Sequence, residues 1–225
     1  MKFILGMFLF ILGLTVGLII QSGQLNNFHL QNTQLILSPT PIPSSQTPVT
    51  LLQPDQALDS KLISLNGQVK KIPWDKYDPI SITAPSKLLQ GDEIITDANS
   101  AAKININNEI NINLEENTDL EMSSLVGTRV LVKQKNGEIE YILTNNSIAL
   151  NLVVGKCLLE INSGKFKVKY LNQKININTD SGQAKLGYYQ GSTDTTKIWQ
   201  ITDGESFNLN VANGKITTDA QLVTK

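Results

Sequence analysis

Cysteine and histidine are almost missing from this chain of 225 residues, which contains one of each, Cys157 and His29. A single cysteine cannot form a disulfide within the chain, so the fold must be stabilised by packing. The only histidine stands in a polar segment near the N terminus with no scaffold to hold it, which excludes a histidine-based catalytic triad. The same counts exclude a zinc site built from cysteine and histidine. We therefore interpret Cys157, which has apolar neighbours in the sequence, as a buried core thiol.

An excess of charge of one sign is lacking as well, since 19 basic residues are matched by 20 acidic ones. A nearly neutral chain builds no field that attracts nucleic acid over its whole surface, so nucleic acid is not an expected partner. No segment carries a recognisable acid–base motif. We therefore expect a protein that is not an enzyme and that uses no cofactor. A glycosidase with two facing carboxylates is the catalytic alternative that the sequence leaves open.

Proline is absent from the last 140 residues, since all eight prolines of the chain stand at or before Pro85. The tract at residues 38–48 has prolines at alternating positions, which favours an extended stalk of about 3.1 Å per residue. The later region suits β-sheet, because proline cannot donate a ladder hydrogen bond. The sequence thus predicts a membrane anchor at residues 1–22, a linker at residues 23–60 and an all-β domain at residues 61–225.

The predicted anchor is an uncharged apolar run at residues 3–20. As a helix it would span roughly 27 Å, close to the hydrocarbon thickness of a bilayer. The run is longer than a typical signal-peptide core and is followed by a poor cleavage site, so we expect a single-pass anchor that is retained, with a cleaved signal peptide as the alternative. No cysteine stands directly after it, which excludes a lipoprotein anchor. Lys2 favours a cytoplasmic N terminus, so the remainder is expected in the periplasm or at the cell surface.

Within this run, Gly13 and Gly17 form a GxxxG pattern. Two glycines one turn apart let a second helix approach closely, so a homodimer through the membrane helix is one interpretation. The other is that glycine is simply common in membrane helices.

Strict alternation of apolar and polar residues marks a β-hairpin at residues 102–106 and 109–114, with its turn at Asn107 and Asn108. Similar short runs recur to the end of the chain, and no helical period follows the anchor. Asn136-Gly137 and Ser163-Gly164 predict further hairpin turns. Further strands are predicted at residues 62–69, 80–83, 128–134, 138–143, 157–161, 165–171, 175–179, 184–189, 197–202, 207–211 and 215–218.

Two groups of charged residues are candidate sites. Glu115, Glu116, Asp119 and Glu121 cluster after the first hairpin, but they lack the glycine and the spacing of a calcium loop, so a solvated acidic turn is the preferred interpretation. No metal site is therefore expected there.

Lys165, Lys167 and Lys169 alternate with apolar residues and so share one face of a strand. They form a possible surface patch for an anionic wall polymer. A solvated face or a charged edge strand that prevents aggregation is the alternative. Tyr188, Tyr189 and Trp199 are candidates for an aromatic platform that binds sugar. Adjacent tyrosines on a strand point to opposite faces, so at most one of them can serve, and Trp199 is expected in the core.

The segment around Leu88, Gly91, Asp92, Ile94 and Thr96 resembles the FecR-domain family. Weaker matches follow at Ser100, Ala101, Ala102, Ile110, Ile112, Thr118, Leu120, Gly164, Phe166, Val168, Thr179, Gly182 and Ala184. The resemblance implies an extracytoplasmic, twisted β-domain of solenoid-like or β-sandwich form. In such a motif Gly91 permits a tight turn and Asp92 can cap it through the adjacent backbone.

Signalling members of this family carry a cytoplasmic segment that engages a sigma factor. Only Met1 and Lys2 precede the apolar run here, so we do not expect an anti-sigma role. The expected function is non-catalytic binding at the cell envelope, with a polysaccharide or an envelope protein as partner. The alternative is a signal-sensing regulator of the FecR type that acts through a separate membrane partner.

Overall fold

The computed structural model describes residues 57–189 and 196–223. Every regular element in these ranges is a β-strand, which confirms the all-β prediction for this part of the chain. No helix in the described part is long and apolar enough to cross a membrane. The predicted anchor with Gly13 and Gly17, and most of the predicted linker, lie outside the described residues. The strands in chain order are β1 (Ser60–Asn66), β2 (Val69–Ile72), β3 (Ile80–Ser81), β4 (Ser86–Lys87), β5 (Glu93–Thr96), β6 (Ala101–Ile106), β7 (Ile110–Leu114), β8 (Thr118–Val126), β9 (Arg129–Leu143), β10 (Ala149–Val154), β11 (Cys157–Leu171), β12 (Lys174–Tyr189), β13 (Thr196–Ile201), β14 (Ser206–Asn210), β15 (Lys215–Thr218) and β16 (Gln221–Val223).

The first hairpin is confirmed as β6 and β7, which pair from Ala102 with Leu114 to Ile106 with Ile110. Asn107 and Asn108 both have positive φ, 50° and 57°, as a tight hairpin turn requires.

Two of the predicted hairpins are wrong. β9 continues through Asn136-Gly137 and β11 continues through Ser163-Gly164, so each pair of predicted short strands is one strand of 15 residues. β12 likewise runs for 16 residues through Gly182. Only the glycines take positive φ, between 94° and 110°, whereas a type I′ turn needs it at both central residues. Each glycine instead allows its strand to bend.

The bends divide the three long strands between two layers of one continuous, open sheet. The first layer runs β16-β13-β12-β11-β10-β9-β8-β5-β2-β3 and uses the C-terminal half of β12 and the N-terminal halves of β11 and β9. The second layer runs β15-β14-β12-β11-β9-β7-β6-β1-β4 and uses the other halves. At its bend β9 exchanges both of its neighbours, whereas β11 and β12 stay paired with each other and each exchanges the neighbour on its other side.

The inward faces of both layers form one apolar core, in which alternate residues of each strand are buried. Trp199 of the first layer and Phe207 of the second lie with their ring centroids 5.1 Å apart, so the expectation that Trp199 is a core residue is confirmed. Cys157 is also buried, and burial raises the pKa of its thiol to about 12. The thiol is therefore neutral near pH 7.

A buried polar pair supports the bend of β9. The Tyr141 hydroxyl donates to Gln134 Oε1 over 3.2 Å. Gln134 Nε2 donates to the carbonyl oxygens of Gly137 and Val168 over 2.9 and 3.1 Å. Since an unpaired buried carbonyl is costly, this side chain stabilises the backbone where the ladder is interrupted.

Candidate binding surfaces

The Gly91–Asp92 turn joins separate segments through a buried carboxylate. Asp92 is 1% exposed. Its Oδ2 accepts a hydrogen bond from the Leu89 backbone over 2.9 Å, and its Oδ1 accepts one from the Trp74 backbone over 3.1 Å. Lys71 Nζ lies 3.6 Å from Oδ2. Asp92 therefore caps its own turn and, in addition, fixes the loop between β2 and β3.

The other members of the motif are structural neighbours of this turn. Gly91 has φ of 87°, and a Cβ at this position would lie 2.7 Å from Trp74 Cβ. Ile94 is fully buried on β5. Thr96 Oγ1 donates to the Glu115 carbonyl over 2.6 Å and accepts from the Thr118 backbone over 2.9 Å. The motif thus holds β5 in the first layer and seats Trp74 against the turn.

The turn presents an exposed aromatic loop that the sequence interpretation missed. Trp74 is 66% exposed and Tyr77 is 98% exposed. Trp74, Leu89 and Val126 border a cavity of about 290 Å³, and we call these three residues the Trp74 surface. The sequence feature that could have indicated this loop is a pair of aromatic residues between Pro73 and Pro79. The remainder of the cavity is lined by Ala57, Leu58, Lys87, Leu88, Gln90 and Leu125.

The lysines of β11 share one face, as predicted, but they are paired with carboxylates. Lys165 Nζ lies 2.8 Å from Glu140, and Lys167 and Lys169 lie 3.3 and 2.9 Å from Glu138. Hydrogen bonds from Lys169 and Lys165 lower the pKa values of Glu138 and Glu140, respectively. Because β11 lies between β9 and β12, the charged-edge interpretation is wrong.

A groove of about 550 Å³ lies beside these lysines on the outer face of the second layer. It crosses β11, β12, β14 and β15, and Lys169 stands at its border with the ion-paired face. Two further lysines, Lys174 and Lys215, line the groove from β12 and β15. The other lining residues are Leu171, Asn172, Ile175, Asn176, Asn208, Leu209, Asn210 and Thr217.

The acidic cluster divides between a turn and a strand. Glu115 and Glu116 are exposed between β7 and β8, whereas Asp119 and Glu121 lie in β8, which the sequence interpretation did not predict. The prediction of a solvated acidic turn is therefore wrong for Asp119 and Glu121, which are strand residues. Lys135 forms ion pairs with Glu121 and with Glu93 of β5. In the described part of the chain, no group of three or more histidine, cysteine or acidic side chains is arranged to hold a metal ion.

Asp119 is expected to make stability depend on pH. Burial raises its pKa to about 6, and the neighbouring Glu93 carboxylate adds to the rise. Above pH 6 the Asp119 carboxyl group is charged in both states and its charge destabilises the fold, and this cost disappears as the pH falls towards the unfolded-state pKa near 4. Asp119→Asn should therefore raise the free energy of unfolding at pH 7.5 by about 1 kcal/mol, a value reduced by solvent screening of this partly buried group. Urea unfolding at pH 7.5 and pH 4.0 measures this, and an equal gain at both pH values would assign the effect to packing.

Neither a protein-family model nor a curated protein sequence matches this chain. Two crystal structures of a proposed anti-sigma factor from Parabacteroides distasonis ATCC 8503, at 1.65 and 2.50 Å resolution, are similar to it with a TM-score of 0.49 and 14% identity. Each similarity covers 57% of this chain and 59% of that protein. These values do not place the two proteins in one family.

Proposed function

We propose that this chain is a membrane-anchored, extracytoplasmic FecR-like protein whose β domain binds an envelope protein through the Trp74 surface and has no catalytic activity. The anchor and the location rest on the apolar run at residues 3–20. The family proposal is supported by the way the Gly91–Asp92 turn is built. The observation that carries the binding proposal is the exposed aromatic loop held in place by the buried Asp92 carboxylate.

Rigid presentation of Trp74 favours binding. Tryptophan and tyrosine are the residues that most often dominate the energy of protein interfaces. Trp74 is held through its backbone by Asp92, and Pro73 and Pro79 limit the freedom of the loop. Because these constraints act on Trp74 before a partner binds, less conformational entropy is lost when the partner covers it.

The size and charge of the surface favour a protein partner. Its cavity of about 290 Å³ is at the lower limit of small-molecule pockets, roughly 300 to 1,000 Å³, and suits a single large apolar side chain. Asp75, Lys76, Asp78 and Lys87 around it carry charges of both signs. Mixed charge at the rim of an apolar centre is typical of protein interfaces and does not select a polyanion.

A photoreactive amino acid at position 77 of the full-length chain tests this in intact cells of the native host. We expect one discrete adduct, whose partner is identified by mass spectrometry and purified. Trp74→Ala should then weaken binding of that partner by about 30-fold or more, as loss of an interface hot spot does. Leu158→Ala removes a similarly exposed apolar side chain from β11, outside the cavity, and should change affinity less than twofold.

The proposal fails if no adduct forms, or if both substitutions weaken binding equally. Retention of the domain on purified wall glycan that is lost with Trp74→Ala would also overturn it, since the surface would then bind sugar. A membrane receptor as the cross-linked partner would assign the chain to the signal-sensing alternative.

A further inference from the structure

The geometry points to a second binding site, the groove on the outer face of the second layer, which takes an acidic polysaccharide. The proposal does not depend on the Trp74 surface, because no residue lines both cavities. It rests on the position of the groove, on two lysines without a carboxylate partner in the described part of the chain, on the amide and apolar lining, and on the acidic residues that border it.

Strand register constructs the groove from two adjacent rows of outward-facing side chains. Lys169, Asn176, Asn208 and Thr217 are successive cross-strand partners in one row. In the next row the partners are Leu171, Lys174, Asn210 and Lys215. Four strands at a spacing of about 4.8 Å give a length of roughly 14 Å, which suits a short stretch of an extended polymer.

Two lysines of the groove differ in their ion pairing from the other lysines of this face. Lys174 and Lys215 have no carboxylate within ion-pair distance among the described residues, whereas Lys165 and Lys167 on the same face are paired with Glu140 and Glu138. A ligand with carboxylate groups would supply the missing partners. Charge complementarity therefore selects an anion at this end of the face.

The remaining lining is suited to a sugar. Asn176 Nδ2 donates to Asn208 Oδ1, and the Asn208 amide group can then donate to a ligand oxygen. Asn210 Oδ1 accepts from the Ala212 backbone over 3.1 Å, which likewise leaves its amide group as a donor. Leu171, which is 44% exposed, offers apolar area for the C–H face of a sugar ring. A bare phosphate polymer has no surface to cover that leucine.

An acidic boundary limits the site on the β9 side. A neighbouring cavity of about 340 Å³ shares Lys169 and Leu171 with the groove but is lined by Glu115, Glu116 and Glu138. These carboxylates repel an anionic chain, so the polymer is expected to lie across β11 to β15 and to leave over the edge strand β15.

Fluorescence polarisation with a labelled polygalacturonate oligomer and the full-length protein in detergent tests the proposal. The double variant Lys174→Ala/Lys215→Ala should bind at least about tenfold more weakly, because two charge-assisted contacts are lost. The control Lys165→Ala/Lys167→Ala makes the same change of net charge on the same face and should alter affinity less than twofold. The salt dependence of binding should become shallower only in the first variant.

Several results would overturn the proposal. One is the absence of binding by the wild-type protein, and another is an equal loss in both double variants, which would indicate attraction by net charge alone. If neutral dextran competed as strongly as unlabelled polygalacturonate, the lysines would not contribute to binding. Stronger competition by polyphosphate of matched charge would show that the ligand is a phosphate polymer. If the first double variant proves unstable, Lys174→Gln/Lys215→Gln provides the same test with a longer side chain retained.

Discussion

Replacement of Gly164 by alanine is expected to destabilise the domain by about 4 kcal/mol or more, which is most of the free energy of unfolding of a marginally stable domain. Gly164 has φ of 110°, and an added Cβ would lie 2.1 Å from the Ser181 carbonyl oxygen and 2.6 Å from Gly182 Cα. These contacts are with backbone atoms of the paired strand, which cannot move aside without breaking the ladder. Urea unfolding, or loss of soluble expression, measures the effect.

Gly204→Ala is the matched control for this substitution. Gly204 also has positive φ, 76°, but an added Cβ would meet no atom within 4 Å. Gly204→Ala should therefore lower the free energy of unfolding by only about 1–2 kcal/mol, the intrinsic cost of a left-handed conformation. Gly182→Ala should resemble Gly164→Ala, because its Cβ would lie 2.1 Å from the Ser163 carbonyl. Equal, small losses at Gly164 and Gly204 would contradict the close approach of β11 and β12 at the bend.

Asp92→Ala should cost about 2–4 kcal/mol and loosen the loop that carries Trp74. Removal of the carboxylate leaves the backbone N–H groups of Leu89 and Trp74 without their acceptor and leaves Lys71 without its nearest carboxylate. Urea unfolding measures the loss of stability. Amide hydrogen exchange reports the local effect and should accelerate at Leu89 and Trp74.

Asp97→Ala tests whether loss of a surface carboxylate would lower stability and loosen the Trp74 loop as Asp92→Ala does. Asp97 lies 2.6 Å from Lys70, and its side chain is 37% exposed. An exposed ion pair of this kind contributes less than about 1 kcal/mol, so the substitution should have a small effect on unfolding and none on exchange at Trp74. If both aspartates gave the same loss, the bridging role of Asp92 would be refuted.

The contrast between two predicted hairpin turns shows what the sequence can predict. Asn107-Asn108 forms a hairpin because the strands on either side pair with each other along their whole length. Asn136-Gly137 has the stronger hairpin signal, yet β9 passes through it. The two halves of β9 pair with strands of different layers. The half before Gly137 pairs with β8 and β10, and the half after it pairs with β7 and β11. Local turn preference is overridden by pairings that depend on residues distant in sequence.

The candidate surfaces were predictable only in part for the same reason. Alternation placed Lys165, Lys167 and Lys169 on one face, but their partners Glu138 and Glu140 belong to another strand, whose register the sequence does not encode locally. The groove likewise depends on Lys174 and Lys215, which come together only through the pairing of β12, β14 and β15.

The motif illustrates a different limit. The turn at Gly91 and the cap by Asp92 could be anticipated from residue chemistry. The second acceptor role of Asp92 could not, since Trp74 precedes it by 18 residues and approaches through a separate loop. An aromatic pair between prolines was visible in the sequence, but only the fold shows that it is exposed.

The continuity of β9, β11 and β12 through both layers has a mechanical consequence. The layers have no hinge between them, because any rotation of one against the other must distort three backbones and the ladders on both sides of each bend. The Trp74 loop extends from the first layer and the groove lies on the second, so their separation is set by covalent strands. A partner held at one surface and a polymer held at the other would be kept in a fixed relative orientation, as on a rigid adaptor.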